Sequence, residues 1–260
     1  MALQVGIVGL PNVGKSTLFN ALTSAKAEAA NYPFCTIDPN VGRVTVPDER
    51  MDKITGFVKP QSVVPTTMEF VDIAGIVKGA SQGEGLGNQF LGHIKQTDAI
   101  VHVVRCFDDP NIIHVSGSVD PIRDIDVINT ELMLADYDTA EKKLKRVEKL
   151  VKGSTDPKIK MELDVTQRIH KALGEGKPAR SVALNDLEAP FALDMHLLTS
   201  KPVLYACNVS DVDFAVGGND WVRDVEKRAS EENNNTIMIC SSMEAEIALL
   251  PPEERIEFLA

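Results

Sequence analysis

The sequence predicts an α/β protein, a P-loop G domain with a mostly parallel sheet and an inserted antiparallel helical hairpin. Three observations carry that prediction. Short apolar runs alternate with helical stretches along the 260-residue chain, the pattern of a sheet covered by helices. A glycine-containing loop joins the first apolar run to the first helix. A heptad seam then interrupts the alternation beyond residue 129. The length suits one large core plus an insertion.

The first strand is Gln4 to Val8, followed by the loop Gly9 to Ser16 and a helix over Thr17 to Thr23. Further core strands are expected at Thr67 to Asp72, Ala99 to Arg105, Val203 to Asn208 and Thr236 to Cys240. Three of the five end at Gly9, Asp72 and Asn208, and open α/β sheets bind ligands at the carboxyl ends of their strands. Between the third and fourth strands, Thr130, Met133, Tyr137, Ala140, Leu144, Val147 and Val151 recur at alternating spacings of three and four. That is a heptad seam. Gly153-Ser154-Thr155-Asp156-Pro157 reads as a turn, with Asp156 as N-cap and Pro157 as the first helical residue. A second helix follows, with Met161, Val165, Ile169 and Ala172 on one side and Gly174 and Gly176 at its end. The expected division is a G domain over 1–128 and 198–260 and a coiled-coil insertion over 129–197.

Gly9-Leu10-Pro11-Asn12-Val13-Gly14-Lys15-Ser16 matches G-x-x-x-x-G-K-S between a strand and a helix. Glycines let successive backbone N–H groups curl around phosphates, and the helix N-terminus favours negative charge. Asn12, Val13, Gly14, Lys15, Ser16 and Thr17 are therefore the candidate phosphate-binding residues, with Lys15 reaching the β- and γ-phosphates and Ser16 binding Mg2+. Val71-Asp72-Ile73-Ala74-Gly75 supplies a carboxylate for the magnesium shell, and the Gly75 N–H can meet the γ-phosphate. Gly79, Gly83, Gly85, Gly87 and Gly92 suit a switch segment, and Thr36 in Asn31-Tyr32-Pro33-Phe34-Cys35-Thr36 is a third candidate metal ligand.

Composition limits the partners. With 43% apolar and 25% charged residues, the chain is ordinary for a globular protein. A net charge of -11 argues against coating free DNA through a general positive field. A local cluster, Lys142, Lys143, Lys145, Arg146, Lys149 and Lys152, reads either as a solvated helix face or as an RNA-binding patch. The cysteines Cys35, Cys106, Cys207 and Cys240 form no C-x-x-C pair, so neither a zinc site nor a disulfide framework is expected. No apolar run approaches the roughly 20 residues of a membrane span, and Leu3 to Val8 enters a strand with no basic region before it. The expectation is a cytoplasmic monomer without membrane contact.

The P-loop, the segment Asn31 to Asn40, Asp72-Ile73-Ala74-Gly75, Gly83-Glu84-Gly85-Leu86-Gly87-Asn88 and Asn129-Thr130-Glu131-Leu132 together resemble the YchF subgroup of Obg-like ATPases. The similarity runs over essentially the whole chain. It implies a G domain, a coiled-coil insertion and a C-terminal TGS domain, which this chain, ending at Ala260, is expected to lack as a fragment. It also implies a ribosome or ribosomal subunit as partner and ATP as the nucleotide.

GTPases read guanine with N-K-x-D, whose carboxylate accepts from guanine N1 and N2; adenine has no N1 proton to donate. The family that this chain resembles carries N-x-x-E. Here the stretch is Asn208-Val209-Ser210-Asp211: the lysine is missing, as in that family, but Asp211 matches the guanine reader. Asn208 is expected to face the adenine edge, with Val209 giving backbone contacts. Cys240-Ser241-Ser242, the other base loop, lacks the usual Ser-Ala-Lys. Ile76 replaces the water-orienting glutamine of Ras-like enzymes, so hydrolysis needs help from elsewhere. The candidates are a potassium ion (K+) near Asn12, implied by the resemblance, and His114, an imidazole able to orient or deprotonate water. The reading is a slow, magnesium-dependent ATPase switch; the rivals are an Obg-type GTPase and a nucleotide-gated binding module with negligible hydrolysis.

Overall fold

The computed structural model describes residues 2–24, 41–58, 60–73, 86–251 and 253–255, with backbone alone at 24 and 86–89. Strands β1 (Leu3–Val8), β2 (Val41–Thr45), β3 (Thr67–Asp72), β4 (Ala99–Arg105), β5 (Val203–Asn208) and β6 (Asn235–Ile239) form one sheet in the order β2-β3-β1-β4-β5-β6. Only the β2–β3 pair is antiparallel. The helices are α1 (Lys15–Ser24), α2 (Glu49–Val58), α3 (Leu86–Gln96), α4 (Pro121–Lys152), α5 (Pro157–Gly174), α6 (Ala189–Leu193), α7 (Asp211–Ala215), α8 (Asp220–Glu231) and α9 (Ser241–Leu249).

Each expected strand is present, within one residue at either end. The unexpected one is β2, an edge strand of five residues that includes a glycine. Strand order runs from β1 to β3 in one direction and from β3 through β4 and β5 to β6 in the other. Right-handed crossovers then put α1 on one face and α3, α4 and α8 on the opposite one. Contacts of α1 with α9, and of α4 with α8, agree with that placement. The P-loop leaves β1 at this reversal of order, the position where open α/β sheets bind ligands.

Helix α4 begins earlier than the seam suggested. Asp120 caps it by accepting from the Arg123 N–H at 3.1 Å, and Pro121 fits the first turn because its missing N–H would have no helical partner. Its first turns bury Ile125, Ile128 and Leu132 against the sheet. Further along, Ala140 and Val147 are buried, and Ala140 packs with Val165, Ile169 and Leu173 of α5. The boundary expected at 129 therefore lies inside one continuous helix, and Thr130 is exposed rather than part of the seam. Asp156 and Pro157 start α5 as expected, with the Asp156 carboxylate accepting from the Lys158 N–H at 2.9 Å.

The basic cluster is smaller than its sequence suggests. Lys143 points inward and is buried between Glu162 at 3.1 Å and Asp194 at 2.9 Å, so it belongs to the hairpin's interior. Lys145 pairs with Glu141 one turn back. Lys142, Arg146, Lys149 and Lys152 remain exposed.

Asp136 fastens the return of the chain to α4. Buried to 1% exposure, it accepts from the Leu198 N–H at 2.8 Å, the Thr199 N–H at 2.7 Å and the Thr199 hydroxyl at 2.6 Å. Desolvation raises its carboxyl above the usual carboxylate range, against the pull of these hydrogen bonds. Asp136→Ala leaves two backbone donors without their acceptor and should lower stability by about 2–4 kcal/mol. Urea unfolding checks this, and a loss below about 1 kcal/mol would show that the clasp does not hold the insertion.

Candidate nucleotide-binding site

The P-loop has the backbone shape that its sequence requires. Asn12 and Gly14 have φ of 62° and 98°, which turn the chain so that α1 starts directly under the loop. Gly14 has a second reason to lack a side chain. A Cβ there would lie 2.3 Å from Nδ2 of Asn208. At Gly9 a Cβ would lie 2.6 Å from the Val103 carbonyl, because the loop passes directly over β4.

Lys15 is buried at 8% exposure, and its Nζ donates to the Leu10 carbonyl at 2.7 Å. Burial lowers its pKa to about 8, while the charge of Asp72 acts in the opposite direction. Among the described residues the lysine thus has no carboxylate within ion-pair distance, and it holds a charge that an arriving phosphate would stabilise. Beside it, the Ser16 hydroxyl donates to Asp72 Oδ2 at 3.1 Å. The other oxygen, Oδ1, is buried and has no hydrogen-bond partner among the described residues. A hydroxyl, a carboxylate and an unsatisfied carboxylate oxygen form a hard oxygen donor set that fits Mg2+, directly or through water. Thr36 and Gly75, the other expected ligands, and Ile76 lie outside the described residues.

A cleft of about 520 Å³ opens beside the P-loop, with Asn12, Gly14 and Thr17 on one side and Phe107, Asn208, Asp211 and Ser242 around the rest. Its volume is in the range of small-molecule sites. Asn208 lines the cleft with a structural role besides the expected one. Its side chain is buried; Nδ2 donates to the Val13 carbonyl at 2.9 Å, and Oδ1 accepts from the Ser241 N–H at 2.9 Å. Both polar atoms brace the pocket, and the second Nδ2 hydrogen is left over for a ligand in the cleft. Val209 is also buried, and its N–H is taken by the Ile239 carbonyl at 2.9 Å.

His114 is held by other partners in this structure. It is buried, with Nε2 at 2.8 Å from Asp124 Oδ2 and Nδ1 accepting from the Ser116 N–H at 3.0 Å. Both ring nitrogens are committed, so in this arrangement the imidazole cannot also hold a water at the phosphates. Its neighbour does touch the P-loop: Asn12 Nδ2 donates to the Ile113 carbonyl at 3.1 Å.

One contributor to the cleft wall escaped the sequence reading, and another belongs to the second base loop it named. Arg105, 1% exposed, donates to the carbonyls of Phe107 and Ile112 at 3.0–3.1 Å and lies over the Phe107 ring at 4.6 Å. It shapes the cleft wall, and the only hint was a cation ending an apolar strand. Ser241 is buried in the cleft wall, with its hydroxyl unpartnered among the described residues.

Gly14→Ala tests the brace. A methyl group 2.3 Å from the Asn208 amide must displace it, at a φ unfavourable to alanine. Nucleotide affinity should fall by roughly 10²-fold or more, the scale of a lost charged contact set. Calorimetry that finds affinity within threefold of the parent would refute the brace.

Comparisons with known proteins agree with this site. A family model described as 50S ribosome-binding GTPase matches residues 4–151. The ribosome-binding ATPase YchF of Bacillus subtilis is 56% identical over 260 residues, covering 100% of this chain and 71% of that protein. Obg-like ATPase 1 of Caenorhabditis elegans is 44% identical, covering 99% of this chain and 66% of its own length. Among solved structures, the YchF GTPase of Schizosaccharomyces pombe superposes with a TM-score of 0.85 at 40% identity, over 98% of this chain and 70% of the other. With a P-loop on this sheet and identity of that extent along its whole length, the chain belongs to the YchF subgroup of Obg-like P-loop nucleoside triphosphatases.

Proposed function

We propose that the protein is a magnesium-dependent, slow ATPase whose bound nucleotide sets the state of its switch segments, and that it acts on the ribosome as a cytoplasmic monomer. The observation that carries the chemistry is the pairing of Ser16 and Asp72 at 3.1 Å beside a buried Lys15 that makes no ion pair among the described residues. Ser16, Asp72 and Thr36 would hold Mg2+, which when bound offsets charge on the phosphate oxygens. Lys15 would bind the β- and γ-phosphates, and the N–H groups from Asn12 to Thr17, with Gly75, would orient the triphosphate. Asn208 and Val209 would contribute to the base site by holding its walls.

ATP is favoured over GTP because Val209 stands where the guanine reader carries lysine, and because the relatives from Bacillus subtilis and Caenorhabditis elegans are both named ATPases. The GTPase reading keeps one specific observation: Asp211 lines the cleft, and the Schizosaccharomyces pombe relative is named a GTPase. For hydrolysis, His114 would have to leave Asp124, or potassium would have to act at Asn12. The pinned His114 is also what favours the third reading, a nucleotide-gated module that scarcely turns over.

The ribosome proposal rests on the relatives' names and on the arm. The insertion 129–197 would project from the G domain of 1–128 and 198–260, and Lys142, Arg146, Lys149 and Lys152 would meet RNA phosphates. Changing Lys142, Lys149 and Lys152 to Glu should weaken ribosome association at least about tenfold and flatten its salt dependence, with ATP affinity unchanged. Co-sedimentation at two salt concentrations measures it, and association that ignores both the substitutions and the salt would end the arm's role.

Calorimetry with magnesium and either ATP or GTP, repeated from pH 7 to pH 9.5, tests the site itself. The wild type should prefer ATP, and Lys15→Ala should bind neither. In the free protein Lys15 titrates near 8 against an ordinary 10.5, and bound phosphate raises that value. Affinity should therefore be complete below about pH 8 and fall as pH rises through it, by up to roughly tenfold per unit. The free fold should gain stability over the same window, since it sheds a buried charge that the unfolded chain keeps. GTP bound ten times more tightly than ATP would overturn the choice of base, and a flat pH profile would remove Lys15 from the phosphate site.

A further inference from the structure

The cleft beside the P-loop has two walls that leave the sheet side by side. Strands β4 and β5 stay paired up to the Cys106 N–H, which donates to the Asn208 carbonyl at 2.8 Å. Beyond that bond one chain supplies Phe107, Asp108 and Ile112 to the cleft, and the other supplies Val209, Ser210 and Asp211. The first wall is fixed by Arg105 through the carbonyls of Phe107 and Ile112. The second continues into α7, a five-residue helix too short to hold its own place. Val212 and the C-cap Val216 are exposed there, while Phe214 packs on the core cluster that contains Cys207 and Val209.

Asn219 ties these two walls together from behind. Its Nδ2 donates to the Cys106 carbonyl at 2.8 Å and to Asp213 Oδ2 at 3.1 Å, while Oδ1 accepts from the Val222 N–H at 3.1 Å and caps α8. The reverse amide orientation would set an oxygen against a carbonyl and a carboxylate, and a nitrogen against an N–H, so the partners fix the assignment. Both Nδ2 hydrogens are thus spent on protein, one on each wall. Asp213 carries the tie into the base loop: its Oδ2 also accepts from the Ser210 hydroxyl at 2.8 Å, next to Asp211 of the cleft. Gly217 and Gly218, at φ 85° and 109°, fold the chain back so that Asn219 meets a residue six positions earlier. The Gly218 N–H donates to the Asp213 carbonyl at 2.8 Å and closes that turn.

We propose that Asn219 is a positioning residue for the nucleotide: it sets the separation of the two walls at the nucleoside end of the cleft, and with it the affinity for base and sugar. This rests on the reading above that a nucleoside triphosphate occupies the cleft. Cys106 is followed directly by Phe107, and Asp213 stands two residues from Asp211, so a shift at either anchor moves a side chain that lines the site. The phosphates would be held by the P-loop and Lys15, whereas the Asn219 amide is spent on the two walls and α8. Loss of the tie therefore weakens binding of the nucleoside half and spares the triphosphate half. A side chain that merely stabilised the fold would weaken both.

The test compares ATP with inorganic triphosphate, each with magnesium, by calorimetry on the whole chain. Asn219→Ser keeps an oxygen able to cap α8 and removes both Nδ2 bonds. ATP affinity should fall about tenfold, the scale of one hydrogen bond to a charged partner, while inorganic triphosphate binds within about twofold of wild type. Asp213→Ala, at the other end of the tie, should give the same split. The two changes together should cost ATP affinity little more than either alone, because both act through one contact. Asp213→Asn, which keeps an oxygen for the Asn219 amide, should hold ATP affinity within about threefold of wild type. Equal losses for the two ligands, additive losses, or unchanged ATP affinity in both single variants would overturn the tie. If Asn219→Ser does not fold, the two Asp213 variants carry the same comparison. A wild type that binds inorganic triphosphate as tightly as ATP would instead remove the nucleoside from the cleft, and the role of Asn219 with it.

Discussion

The nucleotide pocket depends on one buried amide. Asn208 ends β5, and its two polar atoms reach the Val13 carbonyl in the P-loop and the Ser241 N–H at the start of α9. Segments 195 residues before and 33 residues after Asn208 are thereby fixed within hydrogen-bonding distance of one side chain. The arrangement is demanding, because an amide so buried must satisfy both its donor and its acceptor or lose the energy of desolvation. It also dictates its neighbour: Gly14 has no Cβ because the space is filled by that amide. The P-loop pattern and the base loop are therefore one mechanical unit, although the sequence presents them as separate motifs.

The two buried lysines show how the molecule distinguishes structure from function. Lys143 and Lys15 are equally buried, at 8% exposure. Lys143 meets Glu162 and Asp194 within 3.1 Å, so its charge is neutralised inside the insertion. Lys15 meets a carbonyl and feels Asp72 from beyond ion-pair distance, and its pKa falls to about 8. A buried cation without a carboxylate is costly in an isolated fold. Here the cost sits beside an Asp72 oxygen with no partner among the described residues, and the proposed ligand, a triphosphate with its metal, would relieve both. Stability is reduced at the place where binding restores it.

Much of this was legible in the sequence. Strands β1, β3, β4 and β5 announce themselves as apolar runs, and three elements that end at Gly9, Asp72 and Asn208 predict where the ligand sits. Asp156-Pro157 placed the start of α5 because capping chemistry is local. What escaped is whatever depends on residues meeting from a distance. Strand β2 is a short edge strand whose formation needs only β3. The bracing role of Asn208 was missed because nothing local reveals that its amide reaches Val13 and Ser241. His114 looked like a free loop histidine; its partner lies ten residues on, at the start of a helix whose first turns were not foreseen. The basic cluster was overcounted because a run of lysines does not show which one faces inward. Thr36 and Gly75 fall outside the described residues.

Helix α4 joins the two halves of the proposed activity. Its first turn carries Asp124, which holds the loop over the P-loop, and its far end carries Lys149 and Lys152. At the helical rise those ends are roughly 38 Å apart along one continuous element. Its early turns are buried in the sheet cores and its later turns in the hairpin core, so the helix cannot shift in one without disturbing packing in the other. Close-packed cores transmit such displacements instead of absorbing them. Coupling of this kind must be reciprocal in free energy: if nucleotide at the P-loop biases α4, a partner gripping the arm biases nucleotide affinity by the same factor. A slow intrinsic hydrolysis fits that logic, since a switch that turns over slowly by itself would keep its nucleotide until a contact at the distant end of the same helix changes the balance.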